Sequence, residues 1–290
     1  MEARVALTLK TLGGLTTAEV GRAFLIAESS MAQRIVRAKR KIREAGIPYR
    51  VPPPELLPER LPGVLTVLYL VFNEGYASTS GPLVRAGLCD EAIRLARVVV
   101  ELMPDEPETG GLLALMLLHH SRREARVSAT GEIVLLEEQD RARWDHDMID
   151  QGLGVLDRAL LVGRPGPYQV QAAIAALHAR APHPDVTDWA QIAGLYSTLY
   201  RMQPSSVVEL NRSVAVAMAD GPAAALPLLE PLQGQLGHYH LLHSTKADLL
   251  RRLDRRTEAK ASYRRALDLA TNPADRRFLQ GRLAELESGS

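Results

Sequence analysis

The chain has 290 residues and a formal net charge of +1, and 46% of its residues are hydrophobic but only 4% aromatic. That length allows two or three domains with a buried core, and the low aromatic content, without alternating β-branched runs, predicts an all-α fold. The single cysteine, Cys89, excludes an intramolecular disulfide framework, and the longest apolar stretches are too short to span a bilayer, so we expect a cytoplasmic protein without a membrane segment.

Residues 1–46 are predicted to form a three-helix head. Gly13 and Gly14 would end the first helix, which we expect to pack across the two that follow. Its candidate core positions are Val5, Leu7, Leu9 and Leu12.

Two short helices joined by a tight turn are predicted over residues 15–43. Thr16 and Glu19 have the spacing of a capping box, so the first of these helices should begin at Thr17 and end near Phe24.

The second helix of this pair should run over residues 29–44, and Ser30 with Gln33 offers another capping box. An apolar stripe with helical spacing predicts the face that packs on the head. The stripe consists of Met31, Ile35, Ala38 and Ile42.

Positive charge is concentrated on and around this second helix. Residues 1–50 contain ten Lys and Arg against four Asp and Glu, a net charge of +6, whereas the rest of the chain carries −5. One apolar stripe with cationic remaining faces is typical of the recognition helix of a helix-turn-helix DNA-binding domain. The alternative is a basic amphipathic helix that is merely solvated. Pattern and charge together favour the nucleic-acid interpretation.

A proline-rich linker is predicted over residues 47–62. Six prolines between Gly46 and Pro62 are incompatible with a continuous helix, and three in a row favour an extended polyproline segment. Such a linker is semi-rigid and would hold the following segment at a defined position relative to the head. The alternative is a simple spacer.

A helical extension is predicted beyond the linker, divided into residues 63–185 and 186–290. Pro, Gly and Ser separate helices that we expect in antiparallel pairs, with a break at Gly152–Gly154 in the fourth. The predicted helices cover residues 64–75, 89–103, 106–126, 137–161, 168–180, 188–202, 206–219, 222–232, 241–253, 257–270 and 273–287.

The hairpin of residues 241–270 is close to the tetratricopeptide signature, in which small residues stand where two helices approach. Leu250 and Tyr263 would fill the space between its helices. Its small residues are Ala247, Ala259 and Ala266. Stacked hairpins of this kind form a concave surface that usually binds another chain.

The histidines are interpreted as structural. No pair among His238, His240 and His243 has the i, i+4 spacing of a helical metal site, and the adjacent His119 and His120 face different sides of a helix. No phosphate-binding loop and no local Ser–His–Asp signature occurs in the sequence. We therefore expect no enzymatic activity, no catalytic residues, no cofactor and no metal.

Asn73 and Glu74 are candidates for a site in the extension, because this polar pair ends an otherwise apolar helix. The alternative is that Asn73 caps the helix and Glu74 pairs with a neighbouring arginine.

A resemblance to a known family is carried by the segment GGLTTAEVGRAFLIAESSMAQRIVRAKRKIREAGIPY. It resembles the promoter-binding fourth region of bacterial extracytoplasmic-function sigma factors. Nearly the whole chain is similar to the subgroup that carries a tetratricopeptide-like extension, through the strings VLYLVFNEGY, LCDEAIRLARVVVELMPDEPETGGLLALMLLHHSRREAR and RARWDHDMIDQG.

The resemblance implies promoter DNA and core RNA polymerase as partners, and an extension that contacts the head within the same chain. In the family an upstream second region binds core polymerase and opens the promoter. This chain begins just before the fourth region, so we expect it to bind promoter DNA without initiating transcription alone.

The resemblance also implies that the front half of the second helix reads bases of the minus-35 promoter element. Arg37 can pair with guanine and Gln33 with adenine, although Gln33 has the alternative role of capping partner to Ser30. Ala32 stands where many relatives have an arginine. The matching base-reading positions are Ser30, Ala32, Gln33, Val36 and Arg37. Candidates for phosphate contacts, which position the head without specifying sequence, are Lys10, Arg22, Arg34, Lys39, Arg40 and Arg43.

Two hypotheses remain open at this point. In the first, the chain is a fragment of a sigma factor whose extension regulates or supports promoter and polymerase binding. In the second, the extension is a peptide- or ligand-binding scaffold and the basic head is an accessory. Sequence-selective DNA binding that falls steeply with salt separates the first from the second.

Overall fold

The computed structural model describes residues 2–46, 53–78 and 84–288. The described residues form fifteen α-helices with short 3₁₀ turns and no β-strand, which confirms the all-α prediction. The helices are α1 (Glu2–Thr11), α2 (Thr17–Ala23), α3 (Glu28–Glu44), α4 (Leu57–Tyr76), α5 (Ala86–Leu102), α6 (Pro107–His120), α7 (His146–Leu161), α8 (Pro167–Arg180), α9 (Trp189–Met202), α10 (Ser206–Ala219), α11 (Pro222–Ala225), α12 (Gln233–Leu236), α13 (His240–Arg252), α14 (Arg256–Leu269) and α15 (Pro273–Ser288).

Helices α1, α2 and α3 form the three-helix head. The capping box of α2 is confirmed, because the Thr16 N–H donates to Glu19 Oε2 at 2.6 Å and the Glu19 N–H donates to Thr16 Oγ1 at 3.2 Å. The prediction that Leu12 belongs to the core is wrong, since Leu12 is 75% exposed. Leu12 follows the end of α1, where the helical period no longer directs a side chain to the core. The residues that α1 buries are Val5, Ala6 and Leu9.

Helix α3 begins at Glu28, earlier than predicted, and its N-cap residue Ala27 provides no side-chain hydrogen bond. The predicted capping box of Ser30 and Gln33 is therefore wrong, because Ser30 already lies inside the helix. Backbone bonds shape the preceding turn instead, with Leu25 at a φ of +54°. The apolar stripe is buried at Met31 and Ile35, half-buried at Ala38 and 38% exposed at Ile42.

Helix α4 includes the last six residues of the predicted linker, so a non-helical linker up to Pro62 is wrong. Pro58 lies in the first turn of α4. The N–H groups of a first turn have no acceptor within the helix, so a proline there costs no hydrogen bond. Pro62 removes one hydrogen bond, but Leu61 and Leu65 are buried and hold the helix in place. Residues 47–52 of the predicted linker lie outside the described residues.

The head and the first helices of the extension share one hydrophobic core. Gly13 has no side chain and so allows close packing against Val71 of α4. A Cβ added at Gly13 would lie only 3.2 Å from Val71 Cγ2. This packing holds the head against α4. The shared core includes Leu9, Leu15, Val20, Met31 and Ile35 from the head and Leu61, Leu65, Leu68 and Phe72 from α4.

Helix α6 is the centre of the first part of the extension and packs against α4, α5, α7 and α8. Its predicted end is wrong: α6 stops at His120. Helix α7 begins only at His146, because Asp145 accepts a hydrogen bond from the Met148 N–H and caps it. The predicted break at Gly152–Gly154 is also wrong. Gly152 continues α7 and lets it approach α6, since a Cβ there would lie 3.0 Å from Leu118 Cγ.

The hairpin of α13 and α14 confirms the small-residue pattern. Leu250 and Tyr263 are buried between the helices. The three small residues of the contact are fully buried, namely Ala247, Ala259 and Ala266.

The C-terminal part of the extension returns to the front of the chain. Leu25, in the turn between α2 and α3, packs against the apolar cluster that Leu229 and Leu242 belong to. Asn272 donates from Nδ2 to the Ser78 carbonyl at 2.8 Å. The C-terminal part of the extension thus contacts the turn between α2 and α3 and the residue Ser78 just after α4.

Candidate functional site

The solvent-facing side of α3 carries the three predicted base-reading residues. Ser30, Gln33 and Arg37 are all exposed and are spaced i, i+3 and i+7, which places them on one helix face. The only hydrogen bond recorded for these side chains within the described residues is from Arg37 Nε to the Gln33 carbonyl at 3.4 Å. Val36 lies beside them and is 64% exposed. This face is available to a partner.

The predicted phosphate-contacting residues surround that face with positive charge. Arg34 pairs with Glu2 at 3.0 Å and Arg40 with Glu44 at 3.6 Å, both at the surface. Surface ion pairs contribute about 0–1 kcal/mol, so a phosphate can replace either carboxylate at little cost. Arg22 is half-buried, and its Nε has no acceptor among the described residues. The other members of the set with exposed side chains are Lys10, Lys39 and Arg43.

A buried ion cluster joins the head to the extension. Arg85 Nη1 lies 3.0 Å from Glu19 Oε1 of α2 and 3.6 Å from Glu74 Oε1 of α4. Glu19 and Glu74 are only 4% and 6% exposed. Glu19 also closes the capping box of α2 with its other carboxylate oxygen, so one side chain both starts a head helix and anchors it to α4.

At the predicted extension site of Asn73 and Glu74, the structure shows contacts within the fold. Glu74 pairs with Arg85, as the alternative interpretation predicts, and also accepts a hydrogen bond from Ser78 Oγ at 3.1 Å. The C-cap residue of α4 is Ala77 and not Asn73. Burial raises the pKa of Tyr69, and the neighbouring Asn73 side chain partly offsets that rise.

Replacing Arg85 with methionine is expected to destabilise the full chain by about 2–3 kcal/mol, because the cation shared by two buried carboxylates is lost. The cost is below that of a fully enclosed pair since the Arg85 side chain is 36% exposed. Urea denaturation measures it. Arg94→Met on α5 is the matched control, since Arg94 pairs with Glu91 at the surface. It should leave the midpoint of the urea transition nearly unchanged. Equal effects of the two substitutions would contradict a joining role for Arg85.

A second cluster of polar groups was not predicted from the sequence. Helices α4, α6 and α8 bring their C-terminal ends together, so that Tyr76 and His119 stack edge to face with ring centroids 5.1 Å apart. Three arginines from the segments after α6 converge there on Tyr76 and Trp144. They are Arg122, Arg126 and Arg141.

Two of the histidines make hydrogen bonds within the fold. His120 is buried and its Nε2 lies 2.9 Å from Asp90 Oδ1. His243 Nε2 bonds to the Gly237 carbonyl at 2.9 Å. Within the described ranges, no three or more His, Cys, Asp or Glu side chains are grouped closely enough to hold a metal ion. None of the described helices is both long and apolar enough to cross a membrane.

Burial and the nearby arginines keep the two histidines of this second cluster, His119 and His178, neutral. Burial, and then the charges of Arg122 and Arg126, hold the pKa of His119 well below its usual value. Burial, then Arg122 and Arg141, lowers the pKa of His178 to about 4. Burial also raises the pKa of the Cys89 thiol to about 12, so that thiol is protonated. The arginines are therefore the charged groups of this cluster.

The fold and the exposed basic face define an all-α protein in which a three-helix head is packed on a helical extension. Residues 60–160 match the model of a family of unknown function, DUF6596. The chain is 50% identical over 284 residues to the uncharacterized protein R00370 of Rhizobium meliloti (strain 1021), which covers 98% of this chain and 67% of that protein. The chain belongs to the same protein family as R00370. No solved structure matches it.

Proposed function

We propose that this chain contains the promoter-binding part of an extracytoplasmic-function sigma factor. In this proposal α3 reads the minus-35 promoter element and the extension supports or regulates binding to promoter and core RNA polymerase. The observation that carries it is the exposed basic face of α3 on a head whose opposite side is packed into the extension.

The charge of α3 supports a nucleic-acid partner. The helix contains six Lys and Arg against two Glu, and its acidic residues stand at its two ends. Neutralising phosphates with such a helix releases counterions and gives affinity for any duplex, while the side chains at the front of the helix supply sequence preference. Gln33 is available for base reading, since the rival capping-box role does not occur in α3.

The contacts of the head support a regulatory role for the extension. The Glu19–Arg85–Glu74 cluster and the shared core fix α2 on α4, and Leu25 joins the turn before α3 to the C-terminal helices. A shift of the extension would therefore be transmitted to the position of α3.

Arg37→Ala is expected to lower affinity for the preferred duplex by about 1–3 kcal/mol and to relax the preference at one base pair. The measurement is selection of duplexes from a randomised library by the full chain, followed by titration of the selected duplex. Gln33→Ala should relax a neighbouring position. Lys39→Ala is the control, because loss of a phosphate contact should weaken binding to all sequences alike.

A salt titration completes this test. With several phosphate contacts, log K should fall with log salt at a slope of about −3 to −5 for the wild type. If the library yields no preferred sequence, or if Arg37→Ala leaves the preference untouched, promoter reading by α3 is wrong. The scaffold hypothesis, in which the head is an accessory, would then be favoured.

A further inference from the structure

We propose that the converging ends of α4, α6 and α8 form a binding site for a small anionic molecule, whose carboxylate or phosphate group is held by Arg122, Arg126 and Arg141. The site lies in the extension and does not depend on DNA binding by the head. The argument rests on the partners of these arginines, their charge balance and the donors left without acceptors.

Arg122 is a buried cation whose recorded hydrogen bonds are to neutral groups. It is 8% exposed, and its Nη2 donates to Tyr76 Oη at 2.8 Å and to His119 Nδ1 at 2.9 Å. Its guanidinium also lies 5.7 Å from the centre of the Trp144 ring. No carboxylate of the described residues lies within ion-pairing distance of it. Buried arginines are normally paired with an anion, so Arg122 is the clearest sign of a missing one.

The two neighbouring arginines are likewise held by neutral groups. The Arg126 guanidinium lies over Tyr76, 3.4 Å from the ring centre, and donates to the Tyr76 carbonyl. Arg141 lies 4.6 Å from the Trp144 ring centre and donates to the His178 carbonyl at 2.6 Å. These carbonyls belong to the last turns of α4 and α8, so each of these two arginines caps a helix end.

Helix ends do not balance the charge of the cluster. The C-terminus of a helix carries about half a negative charge, so three such ends offset roughly half of the three guanidinium charges. Asp145, which follows Trp144, does not contribute, because it pairs with Arg123 and caps α7. His119 and His178 are neutral and add no charge. An anion with one or two negative charges would complete the balance.

Two buried donors of the cluster also lack an acceptor. Trp144 is 4% exposed, and its Nε1–H has no hydrogen-bond partner among the described residues. The same holds for Arg141 Nε. Buried donors in native proteins are nearly always paired, and a bound ion, a ligand or an ordered water can supply the acceptor. Because Arg122 and Trp144 are almost enclosed, a single small anionic group fits the site better than the backbone of a nucleic acid or an acidic peptide.

The test is thermal unfolding of the full chain with added inorganic phosphate or, in a separate series, citrate, each balanced with chloride at constant ionic strength. The melting temperature should rise by about 3–5 °C at saturation with whichever of the two anions the site prefers. The two series distinguish a phosphate from a carboxylate ligand. Arg122→Gln should abolish the rise. Arg143→Gln, an exposed arginine of the same loop, is the matched control and should retain it.

Stability of the variants does not limit this test. Where Arg122→Gln unfolds, Arg141→Gln removes the adjacent charge and should reduce the shift in the same way. An equal rise in wild type and in both variants indicates a general salt effect and overturns the proposal. So does the absence of a rise with both anions in the wild type. A shift that only a long acidic peptide or a DNA strand produces would also overturn the small-ligand site.

Discussion

Gly75→Ala is expected to destabilise the protein by about 3 kcal/mol, the larger end of the range for overpacking. Gly75 lies at the crossing of α4 and α5, where an added Cβ would be 2.8 Å from both the backbone N and the Sγ of Cys89 and 2.9 Å from Leu88 Cβ. A backbone nitrogen in a helix cannot yield locally, so the two helices must separate. Chemical denaturation of the full chain measures the loss.

Gly63→Ala provides the control within the same helix. Nothing lies within 4 Å of a Cβ at Gly63, so alanine there should only reduce the freedom of the unfolded chain. We expect it to stabilise the protein by about 0.5–1 kcal/mol. A loss of stability at Gly63 as large as that at Gly75 would mean that the close contact of α4 and α5 does not explain the effect.

Acid is expected to destabilise the fold below about pH 6.5 through the histidines at the ends of α6 and α8. The pKa values of His119, His120 and His178 are all lowered, chiefly by burial, so the fold holds these rings neutral. A group with a depressed histidine pKa contributes its full stability above the unfolded value, and this is lost as pH falls towards the folded value. For His178, with a pKa of about 4, the loss between pH 7.5 and 5 is about 2 kcal/mol.

The measurement is the free energy of unfolding of the full chain between pH 7.5 and 5. His178→Gln should reduce the slope by the share that His178 contributes, and His183→Gln, at an exposed position just beyond α8, should leave it unchanged. Identical slopes in wild type and His178→Gln would show that His178 is not held neutral by its surroundings.

The two clusters of the extension have different consequences for the head. The Glu19–Arg85–Glu74 cluster fixes the head in place. The arginine cluster lies at the C-terminal end of α4, where Tyr76 contacts both Arg122 and Arg126. Helix α4 is thus the element that touches the head at Val71 and the arginines at its end. An anion bound at the arginines would act on the same helix that positions α3.

Much of the local structure could be predicted because its causes are local. The capping box of Thr16 and Glu19 needs only residues three apart, and the apolar stripe of α3 follows from helical spacing. The close packing of α13 on α14 was predictable from Ala247 and its partners, since small residues at a crossing are visible in the sequence. The exposure of the predicted base-reading residues followed from the same period.

Other features were decided by contacts between residues far apart in the chain. The start of α4 before Pro62 depends on burial of Leu61 against the head, and the start of α3 depends on the turn at Leu25. Arg85, which pairs with Glu19, lies 66 residues from it in the chain, and Tyr76, which accepts a hydrogen bond from Arg122, lies 46 residues away.

The sequence by itself determined the class of fold, most helices and the basic face of α3, because propensity, capping and periodicity act within a few residues. Tertiary structure alone decided how the head is fixed to the extension and where three arginines meet with no carboxylate of the described residues paired to them. Both depend on which helix ends come together, and that is set by burial of the whole core rather than by any one segment.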